Sequence, residues 1–253
     1  MELAWVPANF LVFFRALGFF LSGPLLARRE VPVRIKVAAA VALTMALIPI
    51  AAQRPITPPG SLPETLLAVA TESLLGAVLG LAAFLPFAGV LLAGHLMGIQ
   101  MGISLGGVID PSSGHSGGLM ERLLELAALL IFVLADGHHI LIRALAFSLE
   151  LHPVGALGLR VELGSALASL GATVFVVALE VGGAVLGVLF LAEAAMGFVA
   201  RSVPQMNIFV LGLPVKIALG LAATALTMPL FVSTLHRIFS GMEGDLLTLL
   251  RGM

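Results

Sequence analysis

Residues 65–92 read TLLAVATESLLGAVLGLAAFLPFAGVLL, a hydrophobic run in which Glu72 is the only charged residue. A helix needs about 20 predominantly apolar residues to cross the hydrocarbon core of a bilayer. This run is long enough, and the rest of the chain has the same character. Its 253 residues are 60% hydrophobic and 11% charged, whereas a soluble domain carries roughly 25% charged residues. The sequence therefore predicts an all-α membrane protein with several hydrophobic helices.

Other segments are similarly hydrophobic, and we predict six candidate spans in all. They cover residues 3–21, 37–52, 65–92, 123–149, 163–200 and 208–235. The fifth would extend roughly 50 Å at about 1.5 Å per residue, too long for one untilted span. We expect it either to break near Gly182 and Gly183 or to project beyond the bilayer. The first segment lacks a basic leader region and a small-residue cleavage site, so we expect it to remain in the mature protein.

Composition and motif spacing argue against several functional classes. The net charge of −1 offers no broad basic surface for nucleic acid, and the absence of Cys excludes thiolate chemistry. Residues 102–106, GISLG, formally match a nucleophile elbow, but that motif needs a preceding strand. Asp136, His138 and His139 are potential metal ligands. Adjacent histidines point to different helix faces, however, and the zincin spacing is absent. We predict no catalytic, cofactor-binding or metal-binding residues.

Glycine is concentrated in two patterns. Residues 102–118 are rich in Gly and Ser and predict an irregular, adaptable loop. Upstream of the loop, glycine recurs every fourth residue, on one helix face. The recurring glycines are Gly94, Gly98, Gly102 and Gly106, with shorter pairs at Gly76 and Gly80 and at Gly183 and Gly187. Such faces allow helices to approach closely, either within this chain or against other subunits.

Ionisable side chains interrupt the apolar segments. They are Arg15, Glu72, Glu125, Asp136, His138, His139, Glu180 and Glu193. Because a charge in mid-membrane costs about 3 kcal/mol on insertion scales, these groups need partners. One interpretation is a proton or ion relay. We favour pairing with each other or with neighbouring subunits, and we predict that Arg15, Glu72 and Glu193 are charges required for assembly.

The stretch 201–216 predicts a helical hairpin turn. Pro204 ends one helix because its ring blocks continuation, and Asn207 is placed to cap the next. The polar amides and flanking cations also suit a docking surface. The predicted turn and partner-contact residues are Pro204, Gln205, Met206, Asn207, Phe209, Pro214 and Lys216.

Several ordered motifs covering nearly the whole chain resemble the FliR family of flagellar export proteins, whose relatives SpaR and YscT serve in type III injectisomes. The motifs are NFLVFFRALGFFLSGPLL at 9–26, VPVRIKVAAAVAL at 31–43, TESLLGAVLGL at 71–81 and PQMNIFVLGLPVKIALGL at 204–221. The sequence departs from the family pattern at Glu180 and Val181, where a small residue and Pro are expected.

The resemblance implies a single domain over 1–253, with a FliP-like part at 1–160 and a FliQ-like helical hairpin at 161–253. It further implies a multi-pass protein of the bacterial inner membrane, in the flagellar basal body. There it would join FliP and FliQ in a helical hetero-oligomer through which unfolded flagellar proteins are exported. FlhA, FlhB and a cytoplasmic ATPase would be further partners. No enzymatic activity is implied.

The resemblance also assigns a role to the Gly-rich loop. Residues 102–118 match the segment that plugs the closed channel in this family, and the hairpin turn matches the part facing FlhB. The implied plug residues are Ile103, Ser104, Leu105, Gly106, Gly107, Val108, Ile109, Asp110 and Pro111. Two alternatives remain: a transporter or channel for a small solute or ion, and an intramembrane hydrolase using Ser104 with His138 or His139.

Overall fold

A computed structural model of the chain describes residues 5–25, 31–53, 60–104, 118–155, 163–202 and 208–252. Every regular element in these ranges is a helix, as predicted. The helices are α1 Trp5–Ser22, α2 Val33–Ala51, α3 Leu62–Met101, α4 Leu119–Leu134, α5 Gly137–Leu151, α6 Leu163–Ser202 and α7 Ile208–Gly252.

Fewer helices than predicted are long and apolar enough to cross a membrane. Among the described residues four qualify, namely α2, α3, the part of α6 from Gly171 and the part of α7 from Leu211. The predicted span 123–149 is instead two helices, α4 and α5, bent by 68° at a short break. The break falls at Asp136, whose φ of 54° lies in the left-handed region. Counting this bent pair as one span gives five.

Of the two alternatives predicted for this long segment, the break near Gly182 and Gly183 does not occur, because α6 runs unbroken for 40 residues. Gly182 instead brings α6 close to α3. A Cβ at this position would lie 3.2 Å from the Cβ of Ala93. The glycine is therefore used for close helix packing, and the helix reaches about 60 Å at about 1.5 Å per residue.

The chain forms two compact units. One comprises Met1–Leu85, Asp136–Gly171 and Ser240–Met253, and the other comprises Pro86–Ala135 and Ala172–Phe239. Helices α3, α6 and α7 each contribute residues to both. These two units are defined by packing within the chain. The predicted division at residue 160 is a different one, because it rests on likeness to FliP and FliQ, and it stays a prediction.

In the first unit, α2 packs against α1 and α5. Its buried residues recur every three or four positions, as expected for one face of a helix. They are Lys36, Ala40, Thr44, Leu47 and Ala51. Helices α1 and α3 approach closely at small residues, since a Cβ at Gly76 would collide with the carbonyl oxygen of Arg15. A Cβ at Gly80 would likewise collide with Oγ of Ser22.

In the second unit, three phenylalanines from α3, α4 and α7 form the centre of the core. The ring centroid of Phe87 lies 5.2 Å from that of Phe132 and 5.0 Å from that of Phe239. Phe132 and Phe239 are 5.2 Å apart with their rings nearly perpendicular. All three side chains are buried. Such aromatic contacts favour one defined arrangement of the three helices.

The sequence left open whether the glycine faces pack within this chain or against other subunits. The glycines differ in this respect. A Cβ at Gly94 would lie 2.6 Å from the Cα of Glu121, so this glycine serves packing within the chain. Gly76, Gly80 and Gly98 are similarly enclosed. In contrast, nothing among the described residues lies within 4 Å of a Cβ at Gly183 or Gly187.

Candidate functional site

A buried ion pair joins α1 to α3. Nε of Arg15 donates to Oε2 of Glu72 at 2.5 Å, and each side chain is 1% exposed. Burying two charges costs several kcal/mol per ion unless their remaining hydrogen-bonding groups are satisfied. The surroundings of the pair therefore decide whether it stabilises the fold.

Backbone groups at the end of α5 and just after it form hydrogen bonds with the remaining polar atoms of Arg15 and Glu72. Nη1 of Arg15 donates to the carbonyl oxygen of Ser148 at 2.9 Å, and Nη2 donates to that of His152 at 3.0 Å. Oε1 of Glu72 accepts a hydrogen bond from the backbone N–H of Gly155 at 3.0 Å. Gly155 adopts a φ of 84°, which favours glycine. The pair thus fixes α1, α3 and the end of α5 in one arrangement.

Other ionisable groups in the apolar segments also have partners within the chain. Oε2 of Glu180 in α6 accepts from Nη2 of Arg237 in α7 at 2.9 Å. Oε2 of Glu125 accepts from Nη1 of Arg122, one turn earlier in α4, at 3.1 Å. These contacts agree with the expectation that the charges pair with each other. The role of Arg15, Glu72 and Glu193 in assembly stays a prediction.

A second polar cluster lies where α3 ends. Nζ of Lys216 in α7 lies 3.0 Å from Oε1 of Glu193 in α6. Nε2 of Gln100, two residues before the Gly-rich loop, donates to Oε2 of the same carboxylate at 3.3 Å. Lys216 is only 20% exposed, whereas Glu193 is 54% exposed. Glu193, in α6, therefore contacts both the end of α3 and α7.

The polar cluster borders a recess of about 440 Å³. Its walls are the last turn of α3 and the facing turns of α6 and α7. The lining residues besides the cluster are Ile99, Met101, Gly102, Met196, Gly197, Gly212 and Leu213. The recess thus combines a flexible apolar lining with one carboxylate–ammonium pair, at the point where the loop leaves the helix.

The two ends of the Gly-rich loop meet at Ser104. Gly102 leaves α3 with a φ of 80°, and the backbone N–H of Ser104 donates back to the carbonyl oxygen of Gly98 at 3.3 Å. Cβ atoms at Gly98 and at Gly118 would lie 2.5 Å and 2.6 Å from Oγ of Ser104. The loop that starts at Gly102 therefore returns to the same place at Gly118, where α4 begins.

Ser104 itself lacks the setting of a nucleophile. Its Oγ is buried and makes no hydrogen bond to any described residue. A catalytic serine needs a base within hydrogen-bonding reach, and none of the described residues provides one.

Most residues predicted for the plug and the turn lie outside the described part of the chain. These are Leu105, Gly106, Gly107, Val108, Ile109, Asp110, Pro111, Pro204, Gln205, Met206 and Asn207. Of the plug, Ile103 and Ser104 are described. Phe209 lies in the first turn of α7, without a described side chain, and Pro214 lies within α7. As Pro204 predicted, α6 ends at Ser202 and the next described helix begins at Ile208.

Several residues of these sites were missed from the sequence. Gln100 was not predicted, because a single amide at a helix end carries no pattern. Ser148, His152 and Gly155 contribute backbone groups to the Arg15–Glu72 pair, and no residue type marks such a contribution. Gly155 alone carries a signal, since a glycine soon after a helix often adopts a positive φ.

Together, the long apolar helices and the internally paired charges define a multi-pass helical membrane protein. Residues 6–242 match the family described as bacterial export proteins, family 1. The chain therefore belongs to this export family, as the resemblance implied.

Similar proteins support this family assignment. The flagellar biosynthetic protein FliR of Bacillus subtilis (strain 168) is 32% identical over 240 residues, covering 92% of this chain and 91% of the relative. FliR of Escherichia coli (strain K12) is 31% identical over 238 residues, covering 94% and 90%. These similarities indicate a component of the flagellar export apparatus.

Proposed function

We propose that this protein is a core subunit of the flagellar type III export gate. With FliP-like and FliQ-like subunits it forms the channel through which unfolded flagellar proteins leave the cell. It lies in the bacterial inner membrane, in the flagellar basal body, and works with FlhA and FlhB. It positions other chains and catalyses no reaction. The observation that carries this proposal is the closed base of the 102–118 loop in a chain of an export family.

The geometry at Ser104 suits a channel plug. Gly98, Ser104 and Gly118 lie together, so the two described ends of the 102–118 stretch meet at one point. In this proposal the segment between these ends blocks the closed channel and is displaced when the channel opens, while α3 and α4 keep their places. Its apolar residues Ile103, Leu105, Val108 and Ile109 would exclude water from a closed channel.

Helix α6 supports burial against sister subunits. Phe175 and Phe198 are both exposed, and they lie about 35 Å apart along the helix at about 1.5 Å per residue. The hydrocarbon core of a bilayer is about 30 Å thick, so lipid alone would not cover this length in an upright helix. Gly183 and Gly187 lie between them, and no described atom lies within 4 Å of where their Cβ atoms would be. Close approach of another helix is the usual use of such glycines.

The polar cluster of Gln100, Glu193 and Lys216 links the plug to the hairpin. Because Gln100 and Lys216 contact the same carboxylate, a shift of α6 or α7 would pull on the end of α3. In this proposal the turn at 204–207 faces the cytoplasm and contacts FlhB. The cluster then couples that contact to the base of the loop.

Co-purification tests the proposed function. The protein is co-expressed with the FliP-like and FliQ-like proteins of the same genome, with an affinity tag on the FliP-like chain. We expect all three to elute as one complex. Gly187→Leu should reduce its yield, since no described atom lies within 4 Å of a Cβ at this position but the added side chain would meet an approaching helix. Gly241→Leu is the matched control, because Gly241 also has no described atom within 4 Å of its Cβ position but belongs to the other unit. A protein that purifies alone as a stable monomer or homo-oligomer, and never with these partners, contradicts the proposed function.

A further inference from the structure

Three potential metal ligands meet at the break between α4 and α5. One carboxylate oxygen of Asp136 and one ring nitrogen each of His138 and His139 lie within 4.8 Å of one another. The ring centroids of the two histidines are 4.2 Å apart. The sequence predicted that adjacent histidines would point to different helix faces. The break at Asp136 places them at the first turn of α5, where the rings come together instead.

The carboxylate of Asp136 is not used as a helix cap. Asp136 occupies the N-cap position of α5, where an Asp side chain normally accepts a backbone N–H from the first turn. Here it makes no such bond. Its Oδ1 lies 3.3 Å from Nδ1 of His139. The residue also adopts a φ of 54° and ψ of 26°, a conformation that costs a non-glycine residue about 1–3 kcal/mol. The carboxylate therefore faces the imidazoles.

His138 supplies an independent observation. Its Nδ1 is buried and has no hydrogen-bond partner among the described residues. A buried nitrogen without a partner costs about 1–3 kcal/mol, and such atoms often indicate an ion or water that completes them. The Asp136–His139 contact alone leaves this nitrogen unexplained.

We propose that Asp136, His138 and His139 bind a divalent transition-metal ion, with Zn²⁺ as the best match. Imidazole nitrogen and carboxylate oxygen are ligands that Zn²⁺ prefers, at about 2.0–2.2 Å in tetrahedral geometry. Two such ligands are then about 3.3 Å apart, as Nδ1 of His139 and Oδ1 of Asp136 are. Because the side chains of Asp136 and His139 are 76% and 61% exposed, water can fill the remaining position.

The bound ion would have a structural role. All three ligands lie within four consecutive residues, so binding fixes the left-handed conformation of Asp136 and the first turn of α5. This inference does not rest on the proposed function, because the ligands belong to this chain alone.

Metal titration of the purified full-length chain tests the site. The protein carries a tag without histidines, is stripped with a chelator, and is titrated with Zn²⁺ by calorimetry and with Co²⁺ by visible absorption. We expect one site per chain, and Co²⁺ should give the intense absorption of tetrahedral coordination. Asp136→Asn and His139→Ala should each weaken Zn²⁺ binding on the order of 100-fold, because even loss of a group that orients a ligand costs about 10- to 100-fold. Asn tolerates the left-handed conformation, so Asp136→Asn should fold normally.

His95→Ala is the matched control. His95 also faces a carboxylate, with Nδ1 3.4 Å from Oε2 of Glu121, but this pair lacks a third ligand among the described residues. The variant should bind Zn²⁺ like the wild type. Failure of the wild type to bind Zn²⁺ or Co²⁺ would overturn the inference. Equal Zn²⁺ affinity of His139→Ala and the wild type, or loss of binding in His95→Ala, would overturn it as well.

Discussion

The guanidinium of Arg15 and the carboxylate of Glu72 face each other from two helices, 57 positions apart in the chain, and both are almost completely excluded from solvent. Backbone groups of Ser148, His152 and Gly155 complete their hydrogen bonds. A buried pair of this kind stabilises less by its own attraction than by the arrangement it requires. Removing one partner leaves an isolated buried charge.

Loss of either charge should therefore destabilise the first unit. We expect Glu72→Ala to lower the free energy of unfolding by about 3–5 kcal/mol, the usual cost of breaking a buried pair. Denaturant unfolding of the chain in detergent measures the change. The double variant Arg15→Met/Glu72→Leu should recover much of the loss, because it removes both charges together.

The exposed pair of Arg143 and Glu243 is the control for this experiment. Its atoms Nη2 and Oε2 lie 3.3 Å apart, in the same unit. Exposed ion pairs contribute about 0–1 kcal/mol, so Glu243→Ala should have little effect. Equal effects of Glu72→Ala and Glu243→Ala would show that burial of the first pair has no energetic consequence.

A second prediction concerns the base of the loop. A Cβ at Gly118 would lie 2.6 Å from Oγ of Ser104 but 3.7 Å from its Cβ. Gly118→Ala should thus lower the melting temperature of the purified protein, and adding Ser104→Ala should restore it. Ser104→Ala alone should leave stability and export unchanged, because it removes a buried hydroxyl without a described partner. Loss of export in Ser104→Ala would instead support the hydrolase alternative.

The pair of Glu193 and Lys216 gives a third prediction. Glu193→Gln removes the charge that Lys216 faces, so the yield of the complex with FliP-like and FliQ-like chains should fall. Exchanging the charges in Glu193→Lys/Lys216→Glu should partly restore it. Glu180→Gln in the same helix, whose partner Arg237 is well exposed, is the control and should assemble normally. Normal yield of Glu193→Gln with lost export would indicate a direct role in transport.

The fourth prediction tests the plug. Deletion of residues 106–117 should make assembled complexes in liposomes permeable to small solutes, measured by release of a trapped dye. Replacing Leu105, Val108 and Ile109 by Ser in a loop of full length should give a smaller leak than the deletion. Complexes of the deletion variant that remain as tight as the wild type would argue against a plug in this loop.

Hydrophobicity alone predicted most of the fold. The helical class, the extent of α6 and the start of α7 follow from apolar runs and from Pro204, which are local signals. The end of α7 does not, because the helix continues to Gly252, beyond the predicted end at 235. The break at Asp136 was missed although a signal existed, since Asp is among the few non-glycine residues that adopt a positive φ and the Asp136-Gly137 dipeptide is typical of turns. The Gly182–Gly183 pair was misleading for a different reason. Glycine both breaks helices and lets them pack closely, and only the nearby Ala93 distinguishes the two uses.

The site was less predictable than the fold. Arg15, Glu72 and Glu193 stood out as charges in apolar surroundings, and each has a partner in the structure. Their partners could not be named in advance, since several are backbone groups brought close by tertiary packing. The roles of the loop 102–118 and of the turn 204–207 still depend on resemblance to the family.

The meeting of the loop ends at Ser104 also sets a limit on distance. From Ser104 to Gly118 the chain takes 14 steps, or about 48 Å if fully extended. Because both ends lie at one point, no residue between them can lie more than about 24 Å from Ser104, half of that length. In the proposed gate, the opening that this segment closes must therefore lie within that radius of Ser104, and any partner that displaces the segment must act inside the same sphere.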